Sequence, residues 1–400
     1  MYSRFKPIAI LAIIGGATQT ATAGSVGEAI EASKVDGNFR TYYNTRSYDT
    51  KTDESALAVG GALRVKTGDL GGFKLGLGYY TAQDFGTNDS DLAKVNKRLG
   101  SDLEVLAEGF VTYSANDTTV TLGRQKINTP FANSGDAFIV PFTYEGTSIV
   151  YKGIPNLTLE ADYINAIKNR NSEEFTEVGA WSANRYGVDT SASESTVILG
   201  GTYAKDSLKV QAWYYDFEDM FTTSYLQANY GFAANGSVKP FVAFQYGSQA
   251  GSGDELLGNV DSSLVGVQFG AGFGKSKITF AYNTVAEKDA YKNGAFLAPY
   301  NFSTSPLFTN SMLQNMENGD SGEAMKMTFN HSFPKVKLKV SYADLEFDSS
   351  TDREAFDVDV TYDMSEYSPG LSLRYRLEVV TSTVASVEQT NQRFQLQYKF

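Results

Sequence analysis

Gly370-Leu371-Ser372-Leu373-Arg374-Tyr375-Arg376-Leu377-Glu378-Val379 decides how the chain is to be read. Leu371, Leu373, Tyr375, Leu377 and Val379 take one set of alternate positions; Ser372, Arg374, Arg376 and Glu378 take the other. A period of two puts successive side chains on opposite faces of a β-strand. One face is therefore apolar and the other fully charged. The C-terminus repeats the pattern, with Phe394, Leu396, Tyr398 and Phe400 against Arg393, Gln395, Gln397 and Lys399. So do 335–346, with Val336, Leu338, Val340 and Tyr342 against Lys335, Lys337 and Lys339, and 354–363, with Phe356, Val358, Val360 and Tyr362 against Asp357, Asp359 and Thr361.

Working outward, the same rhythm predicts eighteen strands: 35–46, 55–67, 73–82, 103–114, 117–126, 146–153, 156–166, 195–203, 207–217, 222–232, 238–247, 262–273, 276–286, 323–332, 335–346, 354–363, 370–379 and 390–400. The alternation gives no face assignment in 103–114 and 117–126. Most of these runs suit a tilted membrane-spanning strand of about 9–11 residues. Connections alternate between tight turns (69–72, 116, 153–155, 205–206, 275, 334) and long loops (84–102, 127–145, 167–194, 248–261, 287–322). Short turns at one end and long loops at the other fit an up-and-down barrel in an outer membrane, and a soluble sandwich has no reason to alternate so. Eighteen antiparallel strands also need closure to remove unpaired edges. The expected fold class is all-β: a transmembrane antiparallel β-barrel of about 18 strands spanning 35–400, with its third loop folded inward.

Composition agrees. The chain has 400 residues, 42% hydrophobic, with 25 Tyr, 26 Phe and a net charge of −12. That is too polar for a helical membrane protein, yet half of every barrel strand faces lipid. Tyrosines at strand ends, among them Tyr43, Tyr79, Tyr113, Tyr151, Tyr163, Tyr203, Tyr214, Tyr342 and Tyr375, suit interfacial girdles. Absence of cysteine excludes disulfide frameworks, thiolate metal sites and cysteine nucleophiles. The acidic total argues against nucleic acid as a partner. A single histidine, His331, between Phe329 and Phe333 on an apolar face, reads as interfacial packing and leaves no triad or multi-histidine metal site. No enzyme is expected.

Met1 to Ala23 reads as a secretory signal, with Arg4 and Lys6 before a short apolar core and Ala21-Thr22-Ala23 as the cleavage site. Its removal takes the charge from −12 to −14, since two cations go with it. Residues 24–34 are expected as a short periplasmic segment, and the localisation as the bacterial outer membrane.

Two stretches carry a family resemblance: Gly60-Gly61-Ala62-Leu63-Arg64-Val65-Lys66-Thr67-Gly68 with Gly71-Gly72-Phe73-Lys74-Leu75-Gly76, and Leu122-Gly123-Arg124-Gln125-Lys126-Ile127-Asn128-Thr129-Pro130 running on to Pro141-Phe142-Thr143-Tyr144-Glu145-Gly146-Thr147. Val35 to Tyr43 and Gln211 to Tyr215 add to them. The chain resembles the OprD-type family of outer-membrane porins, in particular its Campylobacterota branch. The resemblance implies an eighteen-stranded barrel, a pore-constricting third loop, an arginine ladder guiding carboxylate-bearing solutes, a C-terminal aromatic (Phe400) read by the outer-membrane assembly machinery, and a homotrimer or a monomer. Where members often carry an Asp-Ser-Arg element in that loop, this chain has Gly135-Asp136-Ala137-Phe138.

Pairing the last strand with the first sets Arg374, Arg376, Arg393, Lys399, Arg40, Arg46, Arg64 and Lys66 side by side as a basic wall. Glu160, Asp162, Asp357 and Asp359 are expected as an opposite acidic wall, giving a transverse field. The constriction loop, with Asn128, Pro130, Asp136 and Glu145, is expected to bring its two carboxylates to the eyelet. Acidic clusters at Asp49/Asp53/Glu54 and Asp84/Asp89/Asp91 are candidates for a divalent cation such as calcium, though they lack ligand spacing and read as solvated loops. Gly270, Gly272 and Gly274 lack phosphate-loop spacing. The expected function is passive diffusion of ions and small hydrophilic solutes such as amino acids or carboxylates. The alternative is an adhesin or receptor working through its long loops.

Overall fold

The computed structural model describes residues 24–99, 102–135, 137–300 and 306–400. The expected signal, 1–23, lies outside them. The expected periplasmic segment holds a short helix, α1 (Val26–Glu31), started by a capping box between Ser25 and Glu28. The Ala29 carbonyl accepts the Gly68 N–H at 2.8 Å, which ties α1 to the turn after the second strand.

The strands are β1 (Lys34–Tyr48), β2 (Glu54–Lys66), β3 (Phe73–Gln83), β4 (Leu103–Ala115), β5 (Thr118–Gln125), β6 (Thr143–Ile154), β7 (Leu157–Lys168), β8 (Phe175–Glu177), β9 (Thr196–Lys205), β10 (Leu208–Phe217), β11 (Phe221–Gly231), β12 (Val238–Gly251), β13 (Asp261–Phe273), β14 (Ser276–Val285), β15 (Gly322–Ser332), β16 (Val336–Phe347), β17 (Arg353–Asp363), β18 (Leu371–Thr381) and β19 (Gln389–Lys399). All but β8 form one closed antiparallel barrel, and each of the eighteen predicted runs overlaps one barrel strand. Closure is made by β1 with β19, from Asn38 opposite Lys399 to Tyr48 opposite Gln389. The strip β8 pairs with the upper end of β7 and leads into helix α2 (Val178–Tyr186).

The faces are those of a membrane barrel. On β18 and β19, Leu373, Phe394 and Leu396 are 41–44% exposed, whereas Arg393, Gln395 and Gln397 are 3–8% exposed. The apolar set points out and the polar set points in, which suits lipid outside and a polar lumen inside. The ambiguity of 103–114 has a local cause. The β3–β4 register slips at Gly78/Tyr79, where Gly78 faces Glu108 and Tyr79 faces Leu106. The bulge flips the parity of β4 at Ala107, so Val105 and Ala107 point in before it, and Glu108 and Thr112 after it.

Numbering the loops at the long-loop end in chain order, L2 is 84–102, L3 is 126–142, L4 is 169–195 and L7 is 286–321. L3 folds inward, and so do the described parts 294–300 and 306–318 of L7, a stretch whose alternation predicts only a long loop. Ala295 to Ala298 and Tyr300 are at most 1% exposed. The largest apolar cluster therefore sits inside the barrel, between L3, L4, L7 and the wall of β10 and β11. Phe131, Phe142, Tyr215, Tyr225, Phe296 and Tyr300 belong to it. Burial of these rings leaves the lumen open chiefly along the β17–β2 side.

Candidate functional site: the lumen constriction

L3 crosses the lumen because both its ends are held. At its foot Gly123 (φ +114°) faces Gly146, and a Cβ on Gly123 would stand 2.4 Å from the Gly109 carbonyl oxygen. Only glycine takes this backbone without strain. At the far wall the Phe131 N–H donates to the Tyr215 hydroxyl at 3.1 Å. The Phe131 ring packs edge-on against Tyr215 and Tyr225 at 5.6 and 5.2 Å. On the return, the Ala137 and Phe138 carbonyls turn to the basic wall. Tyr42 OH donates to Ala137 O at 3.0 Å, and Arg376 Nη2 to the same oxygen at 3.3 Å. Arg40, 1% exposed, donates to Phe138 O and to Gln397 Oε1.

The 137–139 segment of L3 borders two cavities, with Phe138 lining one and Ile139 the other. The one on the long-loop side is about 760 Å³ and is lined by Arg98, Arg170, Arg185, Arg374, Arg376 and Arg393, with Lys339, Asp359 and Glu317. The one on the short-turn side is about 440 Å³ and is lined by Arg40, Arg64, Tyr80, Lys126, Asn128 and Lys399. The Arg393 and Arg170 guanidiniums lie 5.2 and 5.7 Å from the centre of the Phe138 ring.

The eight residues of the predicted basic wall fall on four adjacent strands, spread along the pore axis. Arg46 donates to Tyr48 OH at 3.3 Å near the loop end. Arg376 and Arg393 line the upper cavity, and Arg40 sits at the constriction. Arg64 is held by Asp36, its Nε 2.6 Å from Oδ1. Lys66 lies 5.7 Å from the Phe110 ring, and Lys399 lines the lower cavity. Arg374 is paired with Asp359 at 2.8 Å.

That last pair corrects the predicted acidic wall. Asp359 bonds a basic-wall arginine on the neighbouring strand, and Asp357 accepts from Ser341 Oγ at 3.1 Å and faces Glu378 across the β17–β18 ladder. Both belong to the β17–β18 side, because strands adjacent in sequence are adjacent in the barrel. Glu160 and Asp162 lie on β7, which strands β1 to β6 separate from β19. Asp162 is 2% exposed. The predicted loop carboxylates are also corrected. Glu145 belongs to β6 and binds Arg124 Nε at 2.8 Å; Arg124 shares the outward parity of Leu122. Asp136 lies outside the described residues. Among the described residues L3 presents to the basic wall the backbone carbonyls of Ala137 and Phe138 and the Phe138 ring. Asn128 lines the lower cavity, and Pro130 precedes the anchoring Phe131.

Sequence reading missed Arg98, Arg170 and Arg185. They lie in L2 and L4, where no period fixes direction; a basic residue in a loop of an acidic chain is the one signal that singles them out. Desolvation, with the charges of Arg46, Arg393 and Arg170, pushes the Arg98 guanidinium down to about 10; desolvation, with the charges of Arg393 and Arg376, does the same to Arg170. Both stay charged at neutral pH. The acidic loop clusters are occupied locally: Asp53 accepts from the Tyr48 N–H at 3.0 Å, and Asp89 and Asp91 flank Lys94 at 3.9 and 3.8 Å. Among the described residues no three His, Cys, Asp or Glu are placed to hold a metal ion. His331 faces outward, its Nδ1 2.7 Å from Ser276 Oγ.

The family model for the OprD outer membrane porins matches residues 28–376. The chain belongs to the OprD family. No curated protein matches its sequence. Among solved structures, Acinetobacter baumannii OccAB3 superposes with a TM-score of 0.80 at 18% identity, covering 93% of this chain and 100% of that one. Pseudomonas aeruginosa OccK9 (OpdG) gives 0.78 at 19%, covering 93% and 99%. Pseudomonas aeruginosa OpdK with vanillate gives 0.75 at 17%, again 93% and 99%. At these identities the likeness is one of fold. This OprD-family protein is an outer-membrane porin, a passive channel for small solutes and not an enzyme.

Proposed function

We propose that this porin prefers small anionic solutes, carboxylates foremost, over cations of the same size. The observation that carries the reading is the upper cavity, where six arginines and a lysine stand against two carboxylates. Guanidinium keeps its charge in a confined pore and pairs bidentately with carboxylate. The ladder Arg393, Arg376, Arg40, Arg64 continues past Phe138 into the lower cavity. One structural relative was crystallised with vanillate, a carboxylate. Glu160 and Asp162 supply the far side of a transverse field that orients dipolar solutes such as amino acids. No cofactor enters this reading, and the solvated role of the acidic loops is kept.

The reversal potential of the purified protein in planar bilayers, across a tenfold potassium chloride gradient, tests it. A potential of the chloride sign is expected, and one of the potassium sign would overturn the reading. The adhesin alternative draws less support from this loop, since its described parts 294–300 and 306–318 pack against the barrel interior. Two further parts of the proposal concern assembly. Phe400, whose N–H donates to Gly37 O at 3.2 Å, serves as the recognition end for the assembly machinery; Phe400→Ala should lower the yield of folded barrel in cells without changing its conductance. A monomer or a homotrimer fits a barrel of this size, and light scattering in detergent separates the two.

A further inference from the structure

The upper cavity holds more positive charge than one carboxylate can balance. Of its six arginines, Arg374 is taken by Asp359 at 2.8 Å, and Arg185 has Glu317 as its nearby carboxylate. Arg98, Arg170, Arg376 and Arg393 have no carboxylate within 4.0 Å among the described residues. They come from four separate elements, L2, L4, β18 and β19, so no local turn geometry forces them together. Several of their donors are also idle. Arg170 Nε and Nη2 and Arg393 Nη2 are shielded from solvent without an acceptor, and Arg393 is 3% exposed. Its Nε is held by Asn391 at 2.9 Å, which fixes the fork in place. Phe138 and Phe142 seat the Arg170 guanidinium at 5.7 and 4.6 Å from their ring centres, so the cation is positioned without being neutralised. Buried donors of a charged group left unpaired are costly. Four cations without a carboxylate partner, two of them with idle buried donors, one held by Tyr42 and Ala137 and one, Arg98, exposed, open on a cavity of about 760 Å³, an arrangement shaped for an anion.

The number of cations sets the class of that anion. A monocarboxylate engages one guanidinium bidentately and leaves the other three repelling one another. An anion with two or three charged groups, spaced a few ångströms apart, engages several at once. We propose that the vestibule above Phe138 is a binding station for small organic anions carrying at least two negative charges, held by Arg98, Arg170, Arg376 and Arg393. This rests on the anion-preferring reading and narrows it: monocarboxylates pass, and polyanions dwell. Arg98 and Arg170 are the loop-borne half of the station, so L2 and L4 set charge-number specificity while the wall arginines supply general anion preference.

Single-channel recording tests the station. Citrate, glycerol 3-phosphate and acetate are added to the loop side at equal ionic strength. Citrate is expected to give resolved current interruptions, with half-block at a concentration at least tenfold below that of acetate. In the double variant Arg98→Gln/Arg170→Gln the citrate half-block should rise at least tenfold, and in Arg98→Lys/Arg170→Lys it should recover in part. Block by glycerol 3-phosphate as well assigns the station to charge number; block by citrate alone assigns it to carboxylates. Equal block by citrate and acetate, or a glutamine variant blocked as the wild type is, overturns the proposal. The heat-dependent gel mobility of each variant reports whether the barrel has folded. A potassium-sign reversal potential without additives would instead sink the anion-preferring reading, so the two failures are distinct.

Discussion

Phe131 shows how one side chain positions a pore. Its ring sits among Tyr215, Tyr225 and Phe296, and its N–H is spent on Tyr215. Phe131→Ala removes a fully buried ring, a loss of about 3–5 kcal/mol where the site does not collapse. The loop then loses its ring anchor and keeps its foot, the residue-131 N–H bond to Tyr215 and the contacts of its return, and single-channel conductance should rise; an unchanged conductance would show that the Arg40 and Arg376 contacts suffice. Arg98 and Arg170 make a second prediction at this scale, one of pH. Their guanidiniums are pushed down from the usual guanidinium range to about 10, so their contribution to anion selectivity is complete at neutral pH, halved near pH 10 and lost above it. The sign for stability is opposite: the unfolded chain holds these protons more tightly, so deprotonation above about pH 10 favours the folded loops. The difference in reversal potential between wild type and Arg98→Gln/Arg170→Gln should therefore be large at pH 7 and shrink by pH 11. A difference that persists to pH 11 would mean ordinary arginines.

Among the elements, L7 depends on a clamp built by a barrel strand. Glu378, fully buried on β18, accepts from Ser311 Oγ at 2.7 Å and from the Leu313 N–H at 2.8 Å. Glu378→Ala removes the acceptor of the part-buried Leu313 N–H and the shorter of two acceptors of Ser311 Oγ, a cost of about 1–3 kcal/mol in all. L7 should loosen from the wall, seen as new protease cleavage within 306–318 and noisier open-channel current; resistance equal to wild type would place the hold elsewhere. The foot of L3 is a backbone matter. Gly123→Val puts a Cβ against the Gly109 carbonyl where φ is +114°, and should cut the yield of folded barrel severalfold. Wild-type yield would show that β4 can shift to admit it.

For the whole molecule the deciding act is closure. Removing 389–400 strips both β1 and β18 of a partner and leaves two open edges in lipid, where unpaired backbone groups cost several kcal/mol each. The truncated chain should give no heat-modifiable band, and the appearance of one would refute closure through β19. Much of this architecture was legible in the residues. Alternation in Leu371–Val379 or Phe394–Phe400 states which face is apolar, and lipid rewards that face wherever it occurs. It failed at β4, where one bulged residue reverses the faces, and bulges leave no mark on composition. It also placed Asp357 and Asp359 across the lumen from arginines beside which they sit.

The sequence by itself determined the strands, their number, which face meets lipid and that first strand meets last, because each follows from a period of two and from the need to pair every edge. Tertiary structure alone decided what occupies the lumen. L3 and L7 fold inward through aromatic contacts between residues far apart in the chain, such as Phe131 with Tyr215 and Phe296. Arg98 and Arg170 come from loops without period, and meet Arg376 and Arg393 only once the barrel has closed around them. Loop direction is set by packing against distant elements, and no local pattern records it.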